Sequence, residues 1–327
     1  MTKHIHTASS LNCWLTCQQK YKYKYEQGYR TSETIPAFLI GTAVHLGLES
    51  FWNGEPLEGA LIATAQYMLD EPYFKRDGWI ERLRIQAYIH GYYRRWLHTR
   101  DDYHVLGVEH EFLREAEGKK GRAGKLDVLA RRKSDGKLVI IEHKTASKFA
   151  KADDPSSAYW SKLSMDTQVC FYHRNIEDMY GEEPEVIYDV IIKTKSTPLK
   201  GSARKRKAET DAEFAQRKYD SAETPSEYSA RIRKVYIEEG AERYIRKTVH
   251  VTRDEVDRKL DELQHVIHDI EESPRWGIHR VRNTTACNSY GGTCEFLGVC
   301  TGLEQLDDPK FEKKEKLHSE LTVKETQ

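Results

Sequence analysis

The segment VIIEHKTAS, Val139 to Ser147, constrains this chain more than any other stretch. Three aliphatic residues in a row suit a buried strand. The run then continues into Glu142, His143 and Lys144, which are costly to bury unless paired or neutralised. Strand alternation puts Glu142 and Lys144 on one face and His143 on the other. A second acid, Asp127, stands upstream in GKLDVLARR, and KSDGK joins the two runs as strand, turn and strand. With Ser134 and Asp135 between the strands, antiparallel pairing sets Asp127 directly across from Glu142, at a Cβ separation of ~4.5–5.5 Å. A register shift of two keeps the carboxylates on one face as diagonal neighbours; a shift of one separates them.

Two carboxylates that close repel each other unless a cation lies between them. Hard oxygen ligands at this spacing suit Mg²⁺ or Mn²⁺. A lysine beside them can stabilise charge developing on a phosphoryl group. An ExK tripeptide alone equally suits a surface ion pair, so the chemistry rests on the wider set of residues.

Around this hairpin the periodicity predicts helices over LNCWLTCQQKYKYKY, after the capping serines of TASS, and over PAFLIGTAVHLGLESFW. Helical patterns continue through EGALIATAQYML and IERLRIQAYIHGYYRRWLHT. YHVLGVEHEFLRE alternates as a strand, EVIYDVIIKTK reads as another, and SMDTQVCFYHRNIEDMY lies between them as a helix. RYIRKTVHVTR is expected along the sheet, where Arg246 could reach a substrate. A long amphipathic helix begins near the cap Thr252. Residues about 197–235 are polar and read as an insertion or mobile helical arm. Within it ARKRK, Ala203 to Lys207, suits either phosphate contact or a solvated face. The expected fold is α/β, with a small mixed central sheet flanked by helices, a helical N-terminal region and a C-terminal cysteine-rich loop. Residues 1–305 are expected to form one domain, and 306–327 a disordered charged tail.

These pieces resemble the PD-(D/E)XK nucleases, whose D…ExK core matches GKLDVLA followed by IEHKT. GTAVHLGLE is similar to the G-x-x-x-H helix of the RecB-like branch, and TQVCFYH to its Q-x-x-x-Y motif. Leu126 stands where the superfamily's name has proline, and Gln18 follows Cys17 where proline is frequent. The resemblance implies a restriction-endonuclease-like core. It also implies a metal held by His45, Asp127, Glu142 and the backbone carbonyl of His143. Lys144 would stabilise the transition state, and Gln168 and Tyr172 would position the strand. VEHEF offers a further acid, Glu109 or Glu111, without a choice between them.

CNSYGGTCEFLGVC places Cys287, Cys294 and Cys300 at C-x6-C-x5-C, too wide for the close pairs of zinc fingers. Four thiolates also suit an iron–sulfur cluster. The resemblance implies that Cys17 joins these three around a [4Fe–4S] cluster, with zinc and free thiols as alternatives and Cys13 the other N-terminal candidate. Cys170 is expected to be a packed thiol. KYKYKY, Lys20 to Tyr25, suits either nucleic-acid stacking or packing against the cysteine lobe.

Acids and bases balance at 52 each, so no global field draws the chain to nucleic acid or membrane, and any polyanion site is a local patch. No apolar run approaches the ~20 residues of a membrane span, and MTKHIHTASS lacks a signal peptide's apolar stretch. A soluble cytoplasmic protein is expected. No G-x-x-x-x-G-K-[ST] loop indicates a helicase motor. The resemblance implies an exonuclease on single-stranded DNA ends, as in CRISPR-associated or phage recombination and repair nucleases, with protein partners of those kinds. A non-catalytic DNA-binding subunit and a structure-specific endonuclease are the other readings.

Overall fold

The computed structural model describes residues 5–32, 35–76, 78–114, 121–146, 157–201, 204–238, 240–276, 279–289, 292–318 and 321. The chain opens with β1 (Ile5–His6), α1 (Ala8–Thr16), α2 (Gln18–Tyr21), a π-helical turn over Lys22–Glu26 and β2 (Tyr29–Thr31). Next come α3 (Pro36–Trp52), α4 (Leu57–Asp70), α5 (Pro72–Arg76) and α6 (Trp79–Arg100). The strands β3 (Tyr103–Arg114), β4 (Gly121–Arg132) and β5 (Leu138–Ala146) precede α7 (Ala158–Ser161), α8 (Thr167–Tyr180) and β6 (Glu185–Ile192). Then follow α9 (Asp211–Asp220), α10 (Pro225–Ile237), β7 (Tyr244–Val249), α11 (Arg253–Glu272), β8 (Asn288–Ser289), β9 (Gly292–Thr293), α12 (Leu297–Thr301) and β10 (Phe311–Lys313).

The main sheet is mixed. β3, β4 and β5 pair antiparallel, β6 lies parallel to β5, and β7 runs antiparallel to β6. β1 adds parallel to the start of β4. Leu126, Leu129, Leu138 and Ile140 pack on one side with α1, α8 and α11. Val128, Ala130, Val139 and Ile141 pack on the other with α3, α6 and α10. α3 lies close against α6 because residue 47 has no side chain: a Cβ there would stand 2.4 Å from Ile89. Among the described residues no helix is long and apolar enough to cross a membrane.

Within the polar region about 197–235, Tyr228, Ile232 and Tyr236 on α10 are buried against the α6 side of the sheet. Apolar groups four residues apart give that helix a buried stripe amid its charges. Past residue 306 the chain still meets the core. Phe311 is buried in a ladder with Thr31 and stacks on Phe296, ring centroids 5.7 Å apart. Residues 322–327 lie outside the described set.

Candidate active site

Val128 pairs with Ile141 and Arg131 with Leu138. The next residues in that register are Asp127 and Glu142. The loop proves longer than two residues, since Arg132 N–H donates to Lys137 O and Gly136 takes φ 71°. It stays centred on Ser134 and Asp135, which preserves the expected facing. The structure therefore brings both acids to one corner of the sheet.

At that corner Asp127 Oδ2 accepts from the backbone N–H of His143 at 2.6 Å, and its Oδ1 lies 3.3 Å from His45 Nδ1 on α3. Glu142 is 2% exposed. Its Oε2 accepts from Gln168 Nε2 at 2.6 Å and Lys144 Nζ at 3.5 Å. Its Oε1 is buried with no hydrogen-bond partner among the described residues. Lys144 also donates to Gln168 Oε1 at 3.4 Å. One helix turn further on, the Tyr172 hydroxyl lies beside Gln168, and its ring meets Phe112 edge-on at 5.9 Å. Gly124 makes room for that ring: a Cβ there would stand 2.7 Å from both Phe112 and Tyr172.

The two carboxyls titrate in opposite directions. Burial opposes the charge on Asp127, but His45 and Lys144 outweigh it and hold that carboxyl below the usual range. Burial, then the neighbouring charge of Asp127, pushes Glu142 up. A buried acid pair with one orphaned oxygen is a donor set that suits a hard divalent cation. His143 turns its ring to the opposite face, stacked on Trp52 at 6.3 Å, where burial lowers its pKa to about 4 and keeps it neutral.

The structure separates the two acids of VEHEF. Glu109 joins His45 and Asp127 in the one set of three metal-ligand atoms within 4.8 Å of one another among the described residues. Glu109 also has φ 48°, a left-handed conformation that is costly inside a strand. That local break in β3 turns Glu109 toward Asp127, and simple alternation could not foresee it. Lys125 pairs with Glu109 at 2.5 Å.

Asp166 was not anticipated. It caps α8, accepting from the backbone N–H groups of Gln168 and Val169 at 2.8 and 3.3 Å, and so fixes Gln168 against Glu142. The acid before TQ was the signal for it. Arg246 faces the other side of the sheet from the acids. It donates to buried Asp189 at 2.7 Å and to the Tyr92 hydroxyl at 3.1 Å, and it does not reach the Glu142 corner.

Cys17, Cys287, Cys294 and Cys300 line one cavity of ≈ 470 Å³, together with Lys20 and Arg282. Cys13 is outside that lining, packed against the core, and burial pushes its thiol up to about 11. Cys170 is buried, as expected. Tyr21 and Tyr25 are buried and Tyr23 lies 5.1 Å from Phe296, so KYKYKY packs against the cysteine lobe.

A mixed sheet with facing acids and a lysine on its central strands defines a restriction-endonuclease-like nuclease core. The chain belongs to the PD-(D/E)XK nuclease superfamily, whose sequence profile matches residues 6–301. A solved structure described as "Putative exonuclease" from Eubacterium rectale is 13% identical, covers 94% of this chain and 91% of its own, and has a TM-score of 0.51. A second, SSO0001, is 13% identical over 81% of this chain and 86% of its own, and its TM-score of 0.30 bears no weight. No curated protein matches. Nucleases of this superfamily generally use Mg²⁺ or Mn²⁺.

Proposed function

We propose that this nuclease is a metal-dependent exonuclease of the RecB-like branch, hydrolysing phosphodiester bonds at single-stranded DNA ends in cytoplasmic recombination, repair, or phage- or CRISPR-type processing. The observation behind it is the Glu142 corner: a carboxylate buried beside another, one oxygen held by Gln168 and Lys144 and the other facing no donor. Asp127, Glu142, His45 and the His143 carbonyl would hold Mg²⁺ or Mn²⁺; His45, Asp127 and Glu109 already lie within 4.8 Å of one another, and Glu142, outside that group, would join through its unpartnered Oε1. Bound there, the ion supplies charge neutralisation at the phosphate and acidifies water. Lys144 holds its ammonium at the corner through Glu142 and Gln168, where its remaining N–H can meet charge developing on a phosphate oxygen. Gln168 fixes the Glu142 rotamer, and Tyr172 braces Gln168 from one turn away.

Cys17, Cys287, Cys294 and Cys300 would hold a structural [4Fe–4S] cluster tying the N-terminal helices to the C-terminal loop; the cavity they share is what supports that reading.

Cleavage of end-labelled single-stranded DNA with Mn²⁺ tests this reading. Activity should vanish in EDTA and in Asp127→Ala, and a closed single-stranded circle should stay intact. Cutting of the circle would make the protein an endonuclease. A folded, cluster-loaded protein that cuts neither substrate contradicts the proposal.

A further inference from the structure

Residues 193–207, KTKSTPLKGSARKRK, carry seven Lys and Arg and no acid, in a chain with no net charge. This run begins at the catalytic edge. β6 ends parallel to β5, and Lys193 N–H donates to Ala146 O at 2.8 Å, two residues beyond Lys144. At ~3.3 Å per strand residue, the basic run leaves the sheet within ~10 Å of the Lys144 backbone.

The segment is held in place. Ser196 O accepts from the Tyr228 hydroxyl at 2.8 Å, Ser196 Oγ accepts from Arg231 at 2.7 Å, and Leu199 N–H donates to Glu223 at 2.8 Å. Further along, Arg204 O accepts from Arg217 on α9 at 3.0 Å, and Arg206 N–H donates to Glu209, just ahead of α9, at 2.9 Å. Ser196, Leu199, Arg204 and Arg206 are tied through these bonds, while the Arg204, Lys205, Arg206 and Lys207 side chains all stay exposed. Among the described residues only Lys205 of these four has an ion pair, with a nearly fully exposed Asp211. Such a pair is worth little in salt solution.

α9 buries none of its residues and so adds nothing to the core. It does present Tyr219, 79% exposed, an aromatic face on the same helix whose Arg217 holds Arg204 O. Ordered cations suit phosphates spaced along a strand, and an exposed phenol ring suits an unpaired base. An acidic protein surface would use the charges and leave the ring idle.

We propose that residues 193–201 and 204–207, the latter held beside α9, form a rail for the phosphate backbone of the DNA strand entering or leaving the Asp127–Glu142 corner, with Tyr219 stacking on a base. The inference rests on the nuclease reading and assigns that site its extended substrate contact. Removing charges from the rail should remove counterion release.

The test is the salt dependence of binding to fluorescein-labelled oligo-dT of about 30 nucleotides, in EDTA to prevent cleavage. It compares wild type with Arg204→Gln, Lys205→Gln, Arg206→Gln and Lys207→Gln combined. The slope of log K against log salt should fall by about 0.7 for each lost contact. For four contacts the wild-type advantage shrinks about 50-fold between about 50 and 200 mM salt. Arg204→Lys with Arg206→Lys should keep the wild-type slope. Tyr219→Ala should lower affinity equally at every salt concentration. An unchanged slope in the quadruple variant, with its melting temperature intact, overturns the rail and leaves the nuclease reading standing. Wild-type protein that neither binds nor cuts DNA overturns both.

Discussion

Glu142→Gln should make the metal-free protein more stable while removing its activity. Asp127 and Glu142 occupy facing positions, and burial together with the Asp127 charge raises Glu142 to about 8. At pH 7 folding must then protonate a carboxyl that is ionised in the unfolded chain, which costs about 3 kcal/mol. Desolvating the amide in its place takes back part of that. A net gain of about 1–2 kcal/mol remains for the amide, which keeps the shape and can still accept from Gln168. For a chain this long that is a rise of roughly 1.5–3 °C in Tm. Mn²⁺ at about 100 times its Kd should then stabilise wild type by about 2.7 kcal/mol and the variant by far less, reversing the order. Thermal unfolding in EDTA and in Mn²⁺ reads both effects. A variant that melts below wild type in EDTA, yet gains as much from Mn²⁺, would refute the idea that the acids wait for a cation. Its DNA cleavage should fall at least ~10²–10³-fold, the usual cost of losing one transition-state contact.

Other outcomes follow from the same geometry. His45→Ala should weaken Mn²⁺ more than Mg²⁺ in metal-dependent cleavage, because imidazole suits the softer ion. Arg246→Ala should cost about 3–5 kcal/mol in urea unfolding by leaving Asp189 charged and buried, and Asp189→Leu with Arg246→Met should recover most of it. Cys17→Ser should abolish visible absorption of the purified protein, whereas Cys13→Ser should retain it. Alkylation of native protein at pH 8 should spare Cys13 and Cys170, whose thiols burial pushes up to about 11 and about 12, and peptide mass spectrometry would show it.

The hairpin was legible because strand alternation and a centred turn leave little freedom. A one-residue slip would have put Asp127 on the face with His143. α3 and α8 were legible from apolar spacing, whereas His45, Gln168 and Tyr172 stood out only through the family resemblance. Glu109 was not, because its reach to Asp127 depends on one left-handed residue that no pattern announces. α10 was hidden by its charges, although Tyr228, Ile232 and Tyr236 recur at four-residue intervals. Arg246 looked like a free cation on a strand. Its partner Asp189 sits directly across the ladder, a pairing that only the β6–β7 register reveals. β10 is three residues long and is held by Phe311 against Phe296, too short for periodicity to register.

The most direct measurement is the anomalous difference map of a crystal equilibrated with Mn²⁺. A peak within bonding distance of carboxylate oxygens from both Asp127 and Glu142 is the predicted result. An enzyme that cleaves DNA in Mn²⁺ yet shows no peak between those two acids would contradict the account.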